Sequence, residues 1–154
     1  DDVDVSWVAH PNWFFRISKY LLPFLKGEYM PKSYFLNDFD FQTEDLDKYV
    51  LKPLYSFAGS GVDLQPTAEK LALIQDKSQY LLQEKVSYEP VIESLNGQVK
   101  AELRLMYVWD KTKARPILAT NITRLSRGAM IGVRYNHSFD WVGGSIGFSQ
   151  KGLK

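Results

Sequence analysis

The sequence has no cysteine and only two histidines, His10 and His137. A disulfide scaffold, a thiolate zinc site and a cysteine nucleophile are all excluded, and two isolated histidines make no multi-histidine metal centre. Charge of one sign is also lacking. Nineteen Lys and Arg oppose eighteen Asp and Glu, a formal net charge of +1, so whole-chain electrostatics gives no drive toward nucleic acid. Long apolar runs are absent too: Lys, Pro or Gly interrupts each one well short of the ~18 residues of a spanning helix. Residues 1–6, Asp-Asp-Val-Asp-Val-Ser, have neither the basic start nor the apolar centre of a signal peptide. These absences imply a cytoplasmic chain with neither a nucleic-acid nor a membrane partner. A first residue of Asp rather than Met reads as a fragment or a processed form.

What is present is a core. The chain has 154 residues, 45% hydrophobic, with 4 Trp, 9 Tyr and 9 Phe. That length fits a domain, and such aromatic content excludes disorder for its bulk. From Asn12, a candidate N-cap, Trp13, Phe14, Ile17, Tyr20, Leu21 and Leu22 recur at helical spacing as far as Pro23. Ser33 to Leu36 is a strand candidate, Thr43 to Lys48 a polar turn, and Tyr49 to Tyr55 a short buried strand. Val62 to Gln65 is the returning strand. Thr67 caps a helix from Ala68 to about Asp76, and Tyr80 to Val86 is a further strand. Val99 to Trp109 alternates, with Ala101, Leu103, Leu105, Tyr107 and Trp109 on one face. Pro116 to Leu125 and Met130 to Tyr135 follow as strands. Gly128, Gly132, Gly143, Gly144 and Gly147 punctuate the end, where residues 141–148 form a terminal strand or a flexible loop. The order implies an α+β fold, with a division near Val86 to Pro90.

The most informative stretch is Tyr49-Val50-Leu51-Lys52-Pro53-Leu54-Tyr55-Ser56-Phe57-Ala58-Gly59-Ser60-Gly61-Val62. Lys52 interrupts an apolar strand, where an unpaired ammonium is costly. An anion nearby would offset that cost, and glycines let backbone N–H groups wrap phosphate oxygens. The alternative is a hairpin whose turn needs glycine, with Lys52 snorkelling or paired to a carboxylate. Gly-Lys-Ser/Thr is absent, so this is no P-loop. Gly-x-Gly-x-x-Gly before a helix is also absent, so it is no dinucleotide fingerprint.

In context the stretch resembles the ATP-grasp family. Lys52-Pro53, then Gly59-x-Gly61-Val62, a helix, and Tyr80-Leu81-Leu82-Gln83-Glu84-Lys85-Val86 follow that family's order. Upstream, residues 18–25 and 30–35 look like its preceding helix and strand. Downstream, Glu102 to Val108 and Pro116 to Gly128 look like the paired strands of its second lobe. The nearest branch is that of the amine ligases, which includes glutathione and glutathionylspermidine synthases. The resemblance implies a two-lobed fold with mixed or antiparallel sheets and few helices. Residues 1–88 would form a lobe with the glycine loop, and residues 89–154 a β-rich lobe.

It further implies the ATP-binding portion of a ligase that phosphorylates a small-molecule carboxylate and lets an amine displace the phosphate. The family's N-terminal substrate domain is missing. The implied cofactors are ATP and Mg²⁺. Lys52 and the earlier Lys19 would hold phosphates under Gly59, Ser60 and Gly61, though Lys19 on its own reads rather as a solvated helix residue. Glu84, Lys85 and Val86 would read adenine through the main chain, or form an ordinary edge strand, and Glu89 would hold the ribose. Arg104 and Arg124 would neutralise phosphoryl charge, with Glu102 and Asn121 standing in as metal ligands and Asp140 behind them. A Glu102–Arg104 charge pair on an exposed face, and a solvated basic turn at Arg124 and Arg127, are the alternatives there. The family's acid-x-Asn metal pair is absent, which leaves open a catalytically inactive nucleotide-binding or interaction module. His10 and His137 read as surface or packing residues. Trp7, Trp13, Phe14 and Phe15 read as core, or as a surface for the missing domain.

Overall fold

A computed structural model describes Asp4 and residues 12–132, 135–140 and 142–148. His10, Trp7 and Trp141 lie outside them. The fold is α+β, with two antiparallel sheets and few helices. It divides into two compact units, between Val86 and Ser87.

The first unit is built on a three-stranded sheet of β1 (Ser33–Phe35), β2 (Tyr49–Pro53) and β3 (Tyr80–Glu84), in the order β1-β3-β2. Tyr49, Leu51, Leu82 and Tyr34 share one face by alternation. They pack with Leu36 and Leu71, and with Phe39, Phe41, Leu46, Ile74 and Tyr80, into the core. Leu71 comes from α2 (Ala68–Ala72), whose N-cap Thr67 accepts from the Lys70 N–H. The helix is shorter than the expected 68–76. Leu73 is 82% exposed, and Asp76 instead caps a following 3-10 turn through the Ser78 N–H.

The opposite face carries Ser33, Phe35, Val50, Lys52, Leu81 and Gln83. The expected helix from Asn12 runs along it in two short pieces, α1 (Trp13–Arg16) and a 3-10 segment, Lys19–Phe24. Ser18 causes the break. It is extended, its Oγ donates to the Phe15 carbonyl at 2.7 Å, and the same oxygen accepts from the Tyr20 N–H. Asn12 stands at the N-cap but makes no side-chain capping bond. Tyr20 and Phe24 pack their rings on Phe35, with centroids 5.1 and 5.7 Å away.

The returning strand expected at Val62–Gln65 is reduced to one bridge, in which Leu51 and Asp63 exchange both main-chain hydrogen bonds. Asp63 then turns the chain by accepting from the Gln65 N–H, and Pro66 has no N–H to continue the ladder.

The second unit is a four-stranded sheet, β4 (Pro90–Ser94), β5 (Gly97–Val108), β6 (Ile117–Ser126) and β7 (Gly143–Ser145), in chain order. β4 was not expected. Its exposed residues lack an alternating pattern, although Asn96-Gly97 supplied a turn signal. The strand expected at 130–135 does not form over its described part. The buried Asn136 amide donates to the Met130 and Gly132 carbonyls, both at 2.8 Å, so these acceptors are engaged by a side chain. Its Oδ1 accepts from the Ser126 hydroxyl and from the N–H groups of Arg127 and Gly128. A side chain at Gly128 would come within 2.5 Å of the Tyr135 carbonyl.

Candidate anion-binding site

Lys52 faces away from the main core, on the second face of the first sheet. Its ammonium donates to Gln83 Oε1 at 2.5 Å, and Gln83 Nε2 donates to Ser33 Oγ at 2.9 Å. Gln83 and Ser33 are buried. Lys52 is therefore held by a neutral amide chain that crosses all three strands. Lys19, at the start of the 3-10 segment, donates to the carbonyl and hydroxyl of Ser56 at 2.7 and 2.9 Å. Neither lysine forms an ion pair among the described residues. Burial lowers the pKa of both ammoniums, and the charge of Lys19 lowers that of Lys52 further. Two cations thus face each other's field with neutral partners, an arrangement whose electrostatic cost an anion would offset.

The glycine loop beside them is two tight turns. The Ser60 N–H donates to the Phe57 carbonyl at 2.8 Å, across Ala58 and Gly59, both at positive φ. The Val62 N–H donates to the Gly59 carbonyl at 3.2 Å, across Ser60 and Gly61, the latter at φ 71°. A Cβ at Gly61 would meet Pro53 Cγ at 2.7 Å. Chain reversal accounts for Gly61, and the amides of Ser60 and Val62 are already engaged.

The expected adenine-reading residues are likewise committed. The Glu84 N–H donates to the Lys32 carbonyl and the Lys85 N–H to the Lys48 carbonyl, at 2.9 and 2.8 Å. The Glu84 carboxylate accepts from the Lys32 N–H and pairs with its ammonium at 3.8 Å. β3 is the central strand, not an edge. Val86 is exposed at the unit's end, and Glu89 lies exposed in the second unit just before β4.

In the second unit, Glu102 on β5 stands opposite Arg124 on β6. Its Oε1 accepts from Arg104 Nε at 2.9 Å and from Arg124 Nη1 at 3.2 Å. Arg124 Nη2 also donates to the Ile131 carbonyl. Two guanidiniums share one carboxylate, so the group keeps surplus positive charge. Tyr88 is near enough to feel it. Burial raises the pKa of its phenol and Glu102 raises it further, against the lowering effect of Arg124 and Arg104. A hollow of about 120 Å³ lies beside Arg124, lined in part by Ile131, Asn136 and the exposed His137.

The metal pairing expected of Glu102 and Asn121 is corrected by register. Asn121 stands opposite Leu105, three residues along from the Glu102–Arg124 pair, and an odd step puts the two side chains on opposite faces. Asn121 is also occupied. Its Nδ2 donates to the Gly147 carbonyl at 2.8 Å and its Oδ1 accepts from the Gly147 N–H at 2.7 Å. Asp140 accepts from Asn96 Nδ2 at 3.3 Å. No cluster of three or more His, Cys, Asp or Glu suited to a metal occurs among the described residues. The described side chains do not fit a protein-held magnesium ion. Arg127 is structural here: it donates to the Asn96 carbonyl and its guanidinium lies 5.6 Å from the Phe139 ring centre.

Sequence reasoning missed Gln83, Ser33 and Ser56. The one signal for Gln83 was an amide in an otherwise apolar strand. No family model, curated protein or solved structure matches the chain.

Proposed function

We propose that this chain is the ATP-binding portion of an ATP-dependent carboxylate–amine ligase, with Lys19 and Lys52 holding the nucleotide's phosphates. One observation carries this reading: two partly buried ammoniums that, among the described residues, are met by Gln83 and Ser56 and by no carboxylate. A structural lysine in such a place is ordinarily paired. In such a ligase a carboxylate oxygen attacks the γ-phosphorus of ATP and ADP leaves. An amine then attacks the acyl carbon and inorganic phosphate leaves. The lysines stabilise the negative charge of the phosphates throughout. A cytoplasmic location, where ATP is held, goes with this reading.

Calorimetry with a non-hydrolysable ATP analogue tests it. Binding should weaken at least tenfold in Lys52→Ala and in Lys19→Ala. Equal affinity in wild type and Lys52→Ala refutes it. The engagement of Asn121 by Gly147, and of Glu102 by two arginines, favours a second reading, a nucleotide-binding module that does no phosphoryl transfer. ATP binding with no ADP release across a panel of acids and amines would select that one.

A further inference from the structure

The β5–β6 ribbon extends beyond its neighbours. β4 pairs with β5 only as far as Lys100, and β7 with β6 only as far as Thr123. From Arg104 to Val108 the ribbon has two strands, and it runs for about 15 Å. It is apolar on both sides. Met106, Val108 and Ile117 share one face, Tyr107 and Leu118 the other, and Trp109 follows at the turn. All six are 45–66% exposed.

The turn itself is built. Asp110 Oδ1 accepts from the N–H and hydroxyl of Thr112, both at 2.8 Å, and the Lys113 N–H donates to the Asp110 carbonyl at 2.9 Å. The Trp109 indole N–H donates to the Lys113 carbonyl at 3.1 Å, which fixes the ring at the tip while leaving it 66% exposed. Lys111, Lys113 and Arg115 lie in the same connection, exposed, and none of them forms an ion pair among the described residues.

We propose that this tip is a docking element for an anionic phospholipid surface. Two features select that occupant. A partner groove or a second copy would cover one face of a ribbon, whereas an interfacial lipid layer surrounds an inserted tip and suits apolar residues on both faces. Three cations beside a Trp and a Tyr complement anionic headgroups, the level at which amphipathic aromatic rings settle. The ribbon's open edges limit the depth, because unpaired N–H and C=O groups do not enter hydrocarbon. Docking is therefore shallow, led by the turn and the last residues of each strand. The lack of a spanning helix among the described residues bears on crossing a membrane, not on resting against one. The proposal is independent of nucleotide binding.

The test is co-sedimentation of the full chain with vesicles of phosphatidylcholine alone and with added phosphatidylserine. Wild type should bind the serine-containing vesicles and leave the neutral ones. Each cation is worth about fivefold at such a surface, so Lys111→Gln, Lys113→Gln and Arg115→Gln together should lower binding about a hundredfold. Val108→Asn, which leaves the turn's hydrogen bonds intact, should weaken binding several-fold with an unchanged circular dichroism spectrum. No binding to phosphatidylserine vesicles, or binding indifferent to these substitutions, overturns the proposal. So does a concentration-dependent dimer abolished by Val108→Asn, which assigns the ribbon to a second copy. Retention on a soluble polyanion without vesicle binding also overturns it.

Discussion

Raising the pH from 7 toward 10.5 should make the protein more stable and its phosphate affinity weaker. Both effects come from Lys19 and Lys52, whose pKa values lie below the ordinary lysine value of 10.5. Between the lowered values and 10.5, the unfolded chain holds protons that the native chain has released. Stability therefore rises with pH in that window, by at most about 1.4 kcal/mol per pH unit for each lysine. Below the window both states are charged and the cost of burying the ammoniums is complete. Above it both are neutral and that cost is gone. Phosphate affinity moves the other way, falling by at most about tenfold per pH unit for each lysine that must be charged.

Urea unfolding and calorimetry with the ATP analogue, at intervals across this range, follow the two quantities. Tyr49 and Tyr88 also titrate, with pKa values raised chiefly by burial, and they erode stability at the alkaline end. Subtracting the Lys19→Met/Lys52→Met variant removes their contribution. A difference that is flat or falls with pH, or an affinity indifferent to pH, would refute the account of the two lysines.

Gly61→Ala should destabilise by about 1–3 kcal/mol in urea, because it adds a Cβ at 2.7 Å from Pro53 Cγ on a backbone at φ 71°. Nucleotide affinity should fall no further than folding does if the glycine serves the turn alone. Asn136→Ala removes the acceptor of the Arg127 and Gly128 N–H groups and one of two donors to each of the Met130 and Gly132 carbonyls, and should cost about 2–4 kcal/mol. Thermal unfolding with a loss under 1 kcal/mol would show that water replaces the amide. Glu102→Gln removes the anion that raises Tyr88 and leaves two guanidiniums that lower it, so the phenol's pKa should drop. An NMR titration showing it unchanged or higher counters the charge grouping.

Some element types were legible in local sequence. Alternation in Val99 to Trp109, the Lys-bearing run Tyr49 to Tyr55 and the Thr67 cap are local patterns, and each is realised locally, the run as a strand that ends at Pro53. Lys52 stood out because one ammonium among Val, Leu and Pro violates the composition of a buried strand. What the tertiary structure decided was who meets whom. Gln83 and Ser56 become the partners of two lysines because strand register and the break at Ser18 bring segments 19, 52–56 and 83 to one face. Glu102 and Asn121, both plausible ligands by type, project from opposite faces because pairing in antiparallel strands sets parity, and parity depends on which residues pair across the sheet. A side chain's identity is written in the chain; its neighbour across a sheet is fixed only when the strands align.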